Sequence, residues 1–229
     1  LPSGLYLSVP RDGLQLQAEQ MKMDGFKGLV HTAAASNLGQ MLNRICIEDG
    51  LGLVNIVRKA DQAELLKSQD ATHVVNSSDD DFMKQLRDAI EDTGAFFGFD
   101  PIGGGKMVDS CFKAMEQVAV ANMKEYSRYG SNQAKRMFIY GRLDVNPTTL
   151  TPSYGFGWTL SGWLLFPFLQ QAGQETMARM RKRVLDNLTT TFASSYKAKV
   201  DLEAMLTKDA ILDYREMKTG QKYLVTPQG

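Results

Sequence analysis

Short apolar runs recur along the first 140 residues of the chain, and stretches with helical spacing separate them. The runs predict five β-strands, at about residues 28–32, 53–57, 73–75, 95–99 and 137–140. The almost continuous apolar character of residues 53–57 is typical of a strand that is buried on both faces. Because helical patterns alternate with the runs, the sequence predicts an α/β fold, a Rossmann-type doubly wound parallel sheet with a C-terminal helical extension.

The helices that follow the strands each show one apolar stripe. Residues 38–46 carry apolar side chains at intervals of 3, 4, 7 and 8 positions, as on a helix that packs against a sheet. Gly50 stands where a glycine commonly ends a helix. Similar stripes predict helices around residues 63–66, 82–90 and 107–123.

The alternating pattern weakens after residue 141. Residues 156–169 are aromatic and apolar but fall short of the ~20 residues that a membrane span needs. They predict a buried segment or a subunit interface, and no membrane span. A long amphipathic helix is predicted at residues 175–191, with residues 179–184 (RMRKRV) as a solvated face. A further helix to about residue 218 and a last strand at residues 222–226 complete the pattern.

The amino-acid composition limits the partners, compartments and metal sites that we expect for this protein. The 229 residues are 43% hydrophobic and 23% charged, and 26 basic residues balance 26 acidic ones. This balance gives no reason to expect a nucleic-acid partner. Cys46 and Cys111 are the only cysteines and are expected to be buried thiols, which suits a reducing compartment. With two histidines, in unrelated contexts, they predict no metal site.

The stretch HTAAASNLGQML, residues 31–42, joins the first strand to the first helix. In the register of a dinucleotide-binding turn, the three small positions are Ala34, Ser36 and Gly39. Ser36 or Asn37 would cap the helix, and the helix N-terminus would face a pyrophosphate. Taken alone, the pattern fits a purely structural strand-to-helix connection equally well.

Two cations stand at the end of the second strand, where a dinucleotide site that uses NAD usually has an acidic residue. Arg58 and Lys59 suit a 2′-phosphate, since Arg offers a bidentate fork and Lys a point charge. The alternative, a solvated pair at the start of a helix, is disfavoured by the helix dipole. The sequence therefore favours NADPH over NADH as the cofactor.

Glycine-rich turns follow the fourth and fifth strands. Residues 100–105 (DPIGGG) and Gly141 would let backbone approach a cofactor, although either is also compatible with an ordinary strand-end turn. A polar segment that contains Tyr126, Arg128 and Tyr129 is predicted to be a solvent-exposed loop near the ligand-binding cleft. The sequence identifies no catalytic acid or base.

Several motifs together resemble a known family. The stretches LVHTAAASNLGQML, LVNIVRKADQAELLKSQDATHVVN, FFGFDPIGGGKM and KRMFIYGRLD are similar to the nucleotide-binding half of the medium-chain dehydrogenase/reductase superfamily. The most similar branch is the zinc-independent, quinone-oxidoreductase-like (zeta-crystallin-like) group, and the resemblance extends over residues 24–227.

The resemblance implies an NADPH-dependent oxidoreductase that transfers hydride to a small quinone, enone or similar carbonyl acceptor without zinc. It also implies which positions bind the cofactor. The implied residues are Ala34, Ser36, Asn37, Leu38 and Gly39 at the pyrophosphate, Arg58 and Lys59 at the 2′-phosphate, and Gly103, Gly104 and Gly141 beside the nicotinamide.

The chain also departs from this family. Members carry a GroES-like catalytic domain before the Rossmann half, whereas residues 1–23 do not resemble one and show no helix that leads into the first strand. We therefore expect residues 1–23 to be a remnant or linker, residues 24–195 the NADP-binding domain, and residues 196–229 a segment that normally packs with the catalytic domain. Asp70 replaces the usual glycine after the second helix, a position that Asp tolerates in the left-handed conformation.

Two alternatives remain open. The first is a non-catalytic Rossmann subunit or scaffold component of a larger complex, with or without bound NADPH. The second is a short-chain dehydrogenase, for which Tyr214 and Lys218 have the spacing, but a surface pair on a helix is the better explanation. A homo-oligomer or complex subunit, in the cytoplasm or an organelle matrix with the cytoplasm favoured, fits the remaining features.

Overall fold

Six parallel strands form one sheet, in the order β3-β2-β1-β4-β5-β6. This is the order of a doubly wound sheet, in which the direction of winding reverses between β1 and β4. The strands are β1 (Gly28–His31), β2 (Gly52–Val57), β3 (His73–Asn76), β4 (Phe97–Asp100), β5 (Lys135–Ile139) and β6 (Trp158–Gly162). The predicted fold class and the five strands predicted in the first 140 residues are confirmed.

The computed structural model describes residues 17–194, 196–215 and 222–227. These residues belong to two compact units, which divide between Asp186 and Asn187. The described residues of the first unit form the sheet and six helices. The helices are α1 (residues 17–23), α2 (Asn37–Glu48), α3 (Ala60–Lys67), α4 (Phe82–Thr93), α5 (Met107–Ala121) and α6 (Leu165–Asp186).

Helices cover both faces of the sheet. Val54 and Ile56 of β2 belong to the apolar core that α4 and α5 form on one face. Asn55 lies between them and points to the other face, where its amide donates to Asn43 Oδ1 of α2 at 3.1 Å. This alternation along one strand is what a parallel sheet with helices on both sides requires.

The expectation that no helix precedes β1 is wrong. Residues 17–23 are helical, and Met21 on this helix is completely buried. The turn after α1 is held by an ion pair of 2.5 Å between Asp24 and Arg136 of β5. The helix escaped prediction because its apolar positions are few and its ends are polar. Residues 1–16 lie outside the described residues.

A sixth strand occupies the segment that was predicted to be buried or to form an interface. Strand β6 lies at the edge of the sheet. Helix α6 is interrupted at Gly173, which has a φ of 79°, so the predicted helix corresponds to its second part and a helical segment from Leu165 precedes it. Phe156 and Phe166 flank the strand with 82% and 65% of their surface exposed, so burial is wrong for these two residues. The prediction failed because an edge strand is covered on fewer sides and shows no continuous apolar run. Among the described residues, no helix is long and apolar enough to cross a membrane.

The basic run near the end of α6 is only partly a solvated face. Arg183 pairs with Glu48 at 2.7 Å and with Asp49 at 2.9 Å, and Arg179 pairs with Glu19 at 3.2 Å. These ion pairs join α6 to α1 and α2. The sequence does not show which of these basic residues form ion pairs, because their acidic partners lie about 130 and 160 positions away.

The described residues of the second unit form two short parallel strands and two helices. They are β7 (Ala198–Val200), α7 (Leu202–Met205), α8 (Lys208–Arg215) and β8 (Tyr223–Val225). Strand β7 was not predicted. Of the pair considered for a short-chain dehydrogenase, Tyr214 lies on α8 and Lys218 lies outside the described residues. The domain boundaries expected at residues 23 and 195 stay predictions.

Candidate functional site

The carboxyl ends of β1, β2, β4 and β5 meet at one edge of the sheet, where most of the predicted site residues lie. Ligands of doubly wound sheets bind at this edge, near the point where the winding reverses. Tyr126, Arg128 and Tyr129 are instead exposed in the loop before β5, at the opposite edge. Their predicted position near the cleft is therefore wrong, whereas their predicted exposure is confirmed.

The β1–α2 turn is tight and depends on Gly39. A Cβ atom at this position would lie 2.1 Å from the carbonyl oxygen of Ala34, so no larger residue fits. Ala33 adopts a left-handed conformation with φ of 55°, which is uncommon for a residue other than glycine. Gly39 therefore packs directly against the backbone of the turn.

Ser36 begins α2 as its N-cap. Its hydroxyl accepts a hydrogen bond from the Gly39 N–H at 3.1 Å, so of the two candidate caps Ser36 is the one used. Asn37 and Leu38 are the first helical residues, where N–H groups have no acceptor within a helix. The first turn of α2 has no acidic side chain, so the positive end of the helix dipole is not neutralised there.

The backbone of Arg58 is held from two sides. Its N–H donates to Gln62 Oε1 at 3.1 Å, and its carbonyl accepts from the Ser78 hydroxyl at 2.8 Å. The side chains of Arg58 and Lys59 are exposed, and neither takes part in an ion pair or hydrogen bond with the described residues. Nearby, the Asp61 carboxylate accepts from the Gln62 N–H at 2.8 Å.

Asp100 connects the turn after β4 to the turn after β1. Its buried carboxylate accepts from the Gly103 N–H at 2.8 Å, from the Ile102 N–H at 3.1 Å, and from the Thr32 hydroxyl. The two turns therefore keep a fixed position relative to each other. Nothing in the sequence distinguished this aspartate from an ordinary turn residue.

The glycines predicted beside the nicotinamide pack against neighbouring loops. A Cβ atom on Gly104 would lie 2.7 Å from the carbonyl oxygen of Asn146, and one on Gly141 would lie 2.5 Å from that of Pro101. Gly103 has a φ of 82°, which favours glycine. Packing and backbone conformation are enough to account for glycine at these positions. The role of these glycines in binding a cofactor therefore stays a prediction.

An open cavity of about 470 Å³ lies beside these loops, at the ends of β5 and β6. Two aromatic rings form part of its wall, those of Tyr140 and Trp163, whose centroids are 6.5 Å apart. Sequence reasoning missed Trp163 because β6 was not recognised. The lining residues are Ile139, Tyr140, Gly141, Arg142, Gly162, Trp163, Leu164 and Pro167.

A buried histidine contacts the wall of this cavity. His31 Nε2 lies 2.7 Å from the Tyr140 hydroxyl, and His31 has no exposed surface. Burial lowers the pKa of His31 to about 4 and raises that of Tyr140 well above its ordinary value. Both groups are therefore uncharged at neutral pH.

Across residues 17–194, 196–215 and 222–227, no three His, Cys, Asp or Glu side chains come together as a metal would require. Cys46 and Cys111 are buried and unpaired with each other, as predicted.

Comparison with known proteins identifies the fold. No protein-family model matches the chain, and no curated protein matches it. A protein of Mesorhizobium loti to which NADPH:quinone reductase activity has been ascribed matches with a TM-score of 0.75 at 23% identity, over 98% of this chain and 60% of that one.

Two further solved structures are similar. A mutant enoyl thioester reductase of Candida tropicalis has a TM-score of 0.65 at 17% identity, over 92% of this chain and 58% of that one. A mycobacterial protein in complex with NADPH has a TM-score of 0.62 at 17% identity, over 94% of this chain and 62% of that one. The chain thus spans about 60% of the length of these structures. The resemblance seen in the sequence motifs is confirmed at the level of the fold, the Rossmann-type fold of quinone and enoyl thioester reductases.

Proposed function

We propose that the chain is the nucleotide-binding part of an NADPH-dependent oxidoreductase that transfers hydride to a quinone, enone or similar carbonyl acceptor without zinc. The observation that carries the proposal is the pair Arg58 and Lys59. Both residues directly follow the end of β2, and neither side chain has an ion-pair or hydrogen-bond partner among the described residues. Unpaired cations at this position of a doubly wound sheet suit a phosphate on the adenosine ribose.

The β1–α2 turn fits a pyrophosphate. Ala34, Ser36 and Gly39 are small, and the first turn of α2 offers N–H groups and an unneutralised dipole. Asn37 and Leu38 would supply the first of these N–H groups. A pyrophosphate bound there would lie at the reversal of winding between β1 and β4.

Arg58 and Lys59 would both bind the 2′-phosphate, each through a different kind of interaction. The guanidinium can form two parallel hydrogen bonds to phosphate oxygens, whereas the ammonium contributes a point charge. Gln62 and Ser78 would keep Arg58 in place through the backbone bonds described above. NADH lacks this phosphate and would bind more weakly.

The nicotinamide would lie on the β4–β5 side, beside Gly103, Gly104 and Gly141. Bound NADPH supplies the hydride, so the task of this part of the protein is mainly to position the ring and exclude water. The cavity wall of Tyr140 and Trp163 is aromatic and would suit a planar acceptor. We assign no acid or base.

The zinc-free part of the proposal rests on the scarcity of ligands. The whole sequence has two cysteines and two histidines, and Cys46 and Cys111 lie buried on different helices. Buried thiols of this kind suit the reducing interior of the cytoplasm or an organelle matrix.

A non-catalytic Rossmann subunit of a homo-oligomer or larger complex is the second candidate. Phe156, Leu164 and Phe166 favour it, since 82%, 64% and 65% of their surfaces are exposed around the edge strand β6. Exposed apolar residues beside an unpaired strand edge commonly mark an interface. An interface of this kind is also compatible with an enzyme, so cofactor binding has to separate the candidates.

Titration calorimetry with NADPH and NADH tests the proposal. We expect micromolar or tighter NADPH binding, and NADH binding weaker by about tenfold or more because a charge-assisted contact contributes roughly 1.5–3 kcal/mol. Arg58→Ala should remove most of this preference and leave NADH affinity unchanged. Arg181→Ala, an exposed arginine on α6, is the matched control and should change neither affinity.

The outcomes separate the two candidates. If Arg58→Ala leaves NADPH affinity unchanged, the 2′-phosphate assignment is wrong. NADPH binding followed by oxidation in the presence of a quinone or enone supports the oxidoreductase. NADPH binding without reduction of any such acceptor, or no cofactor binding, supports the non-catalytic subunit.

A further inference from the structure

A fully buried histidine stands behind the cavity at the ends of β5 and β6. His31 is the last residue of β1 and is not among the residues that line the cavity. Its Nε2 atom lies 2.7 Å from the hydroxyl of Tyr140, which does line it. Any effect of His31 on a molecule in the cavity therefore passes through Tyr140.

The ring of Tyr140 is held on several sides. Phe99 contacts it nearly perpendicularly, with centroids 6.2 Å apart and an interplanar angle of 74°. Trp163 does the same at 6.5 Å and 85°. The Tyr140 hydroxyl is thus anchored to a buried histidine, while Tyr140 itself forms part of the cavity wall.

We propose that His31 is a positioning residue that fixes the Tyr140 ring as the wall against which the nicotinamide ring of the cofactor packs. The inference rests on the proposed function. It adds a residue that has no contact with the cavity, and it assigns the aromatic wall to one end of the cofactor.

The topology of the sheet decides which end of the cofactor reaches Tyr140. Arg58 follows β2 and Tyr140 follows β5, so three strand spacings, roughly 14 Å, separate the two strand ends. A dinucleotide with its 2′-phosphate at Arg58 and its pyrophosphate at the β1–α2 turn extends its other base toward β5. The base that meets Tyr140 is therefore the nicotinamide and not the adenine.

Two ligands separate the ends of the cofactor experimentally. NADPH carries both the 2′-phosphate and the nicotinamide, whereas adenosine 2′,5′-bisphosphate carries the phosphate without the nicotinamide. Titration of both ligands should be combined with the fluorescence of bound NADPH, which reports on the surroundings of the nicotinamide. The variants are His31→Leu, Tyr140→Phe and His31→Gln, and His73→Leu is the control because His73 lies on β3 away from the cavity.

We expect His31→Leu and Tyr140→Phe to weaken NADPH binding by about three- to tenfold, the effect of one lost hydrogen bond. Both should leave the affinity for the bisphosphate unchanged and reduce the fluorescence enhancement of NADPH. His31→Gln should restore much of the NADPH affinity, since its amide can also bond to the Tyr140 hydroxyl. Tyr140→Phe keeps the ring and packing, so it tests the anchor even if His31→Leu folds poorly.

Two results would overturn the inference. One is an equal loss of affinity for both ligands, which would mean that His31 only supports the fold. The other is unchanged NADPH affinity and fluorescence in Tyr140→Phe. If the unaltered protein binds neither ligand, the proposed function fails and this inference fails with it. If the unaltered protein binds both ligands and the variants give either of the two results above, only this inference is overturned.

Discussion

Lys135 and Glu116 form a buried ion pair between β5 and α5. Lys135 Nζ lies 2.7 Å from Glu116 Oε2, with 0% of the lysine side chain and 8% of the glutamate side chain exposed. The lysine ammonium also donates to the Ser131 hydroxyl at 3.0 Å and to the Gln133 carbonyl at 2.7 Å. All three of its donors are therefore used, and the pair ties the loop before β5 to α5.

Replacing Lys135 by Met should destabilise the fold strongly. Removing one partner of a buried pair leaves an uncompensated charge, so the free energy of unfolding should fall by about 3–5 kcal/mol. Urea denaturation measures this. The double variant Glu116→Leu/Lys135→Met should lose less than the single variant, because no unpaired charge remains. Lys124→Met, at an exposed lysine of the preceding loop, is the control, and an equal effect of the two single changes would contradict the prediction.

Much of the sheet was predictable because its central strands are short apolar runs between helical stripes. Strand β4 is buried at every residue, as such a run requires. The edge strand β6 was missed for the opposite reason, since its residues are partly exposed and alternate weakly. Residues 17–23 were missed because a short helix with two or three apolar positions has no clear period.

The candidate site was predictable where local chemistry defines it. Ser36 and Gly39 follow from the rules of a helix start, and Arg58 follows from its place after a strand. His31 could not be recognised, because its role depends on a partner about 110 positions away, and a single histidine in the sequence carries no sign of that partner.

Gly39→Ala should destabilise the β1–α2 turn. The added Cβ would lie 2.1 Å from the Ala34 carbonyl oxygen, and backbone atoms cannot yield as a flexible side chain can. We expect a loss of about 1–3 kcal/mol or more, as for an overpacked core position. Gly162→Ala is the control, because no atom lies within 4 Å of its added Cβ. Thermal denaturation of both variants measures the difference in stability, and equal melting temperatures would contradict the prediction.

Arg183→Ala should weaken the attachment of α6. The guanidinium joins Glu48 and Asp49, and it holds the pKa of Asp49 below its usual value against the opposing effect of burial. Hydrogen bonds to charged groups contribute about 1.5–3 kcal/mol, and the 21% exposure of Arg183 places the expected loss toward the lower end. Lys182→Ala, which breaks only an exposed pair with Asp186, should cost much less. The two variants should also differ in salt dependence, because exposed pairs are screened more strongly.

His31 should make the fold sensitive to acid. Burial lowers its pKa from 6.5 to about 4 in the folded chain, so the unfolded chain binds a proton first as the pH falls. This contribution to stability is complete above pH 6.5 and is lost between pH 6.5 and pH 4. One pKa unit corresponds to about 1.4 kcal/mol, so the loss should reach about 3 kcal/mol.

Comparing His31→Leu with the unaltered protein isolates this contribution. Leucine cannot be protonated, so the free energy of unfolding of the variant should fall less steeply between pH 6.5 and pH 4. The quantity compared is the slope of the free energy of unfolding against pH. The comparison is therefore valid even if the variant is less stable at neutral pH. Urea denaturation at several pH values measures both slopes, and identical slopes for His31→Leu and the unaltered protein would show that His31 is protonated as readily in the folded chain as in the unfolded one.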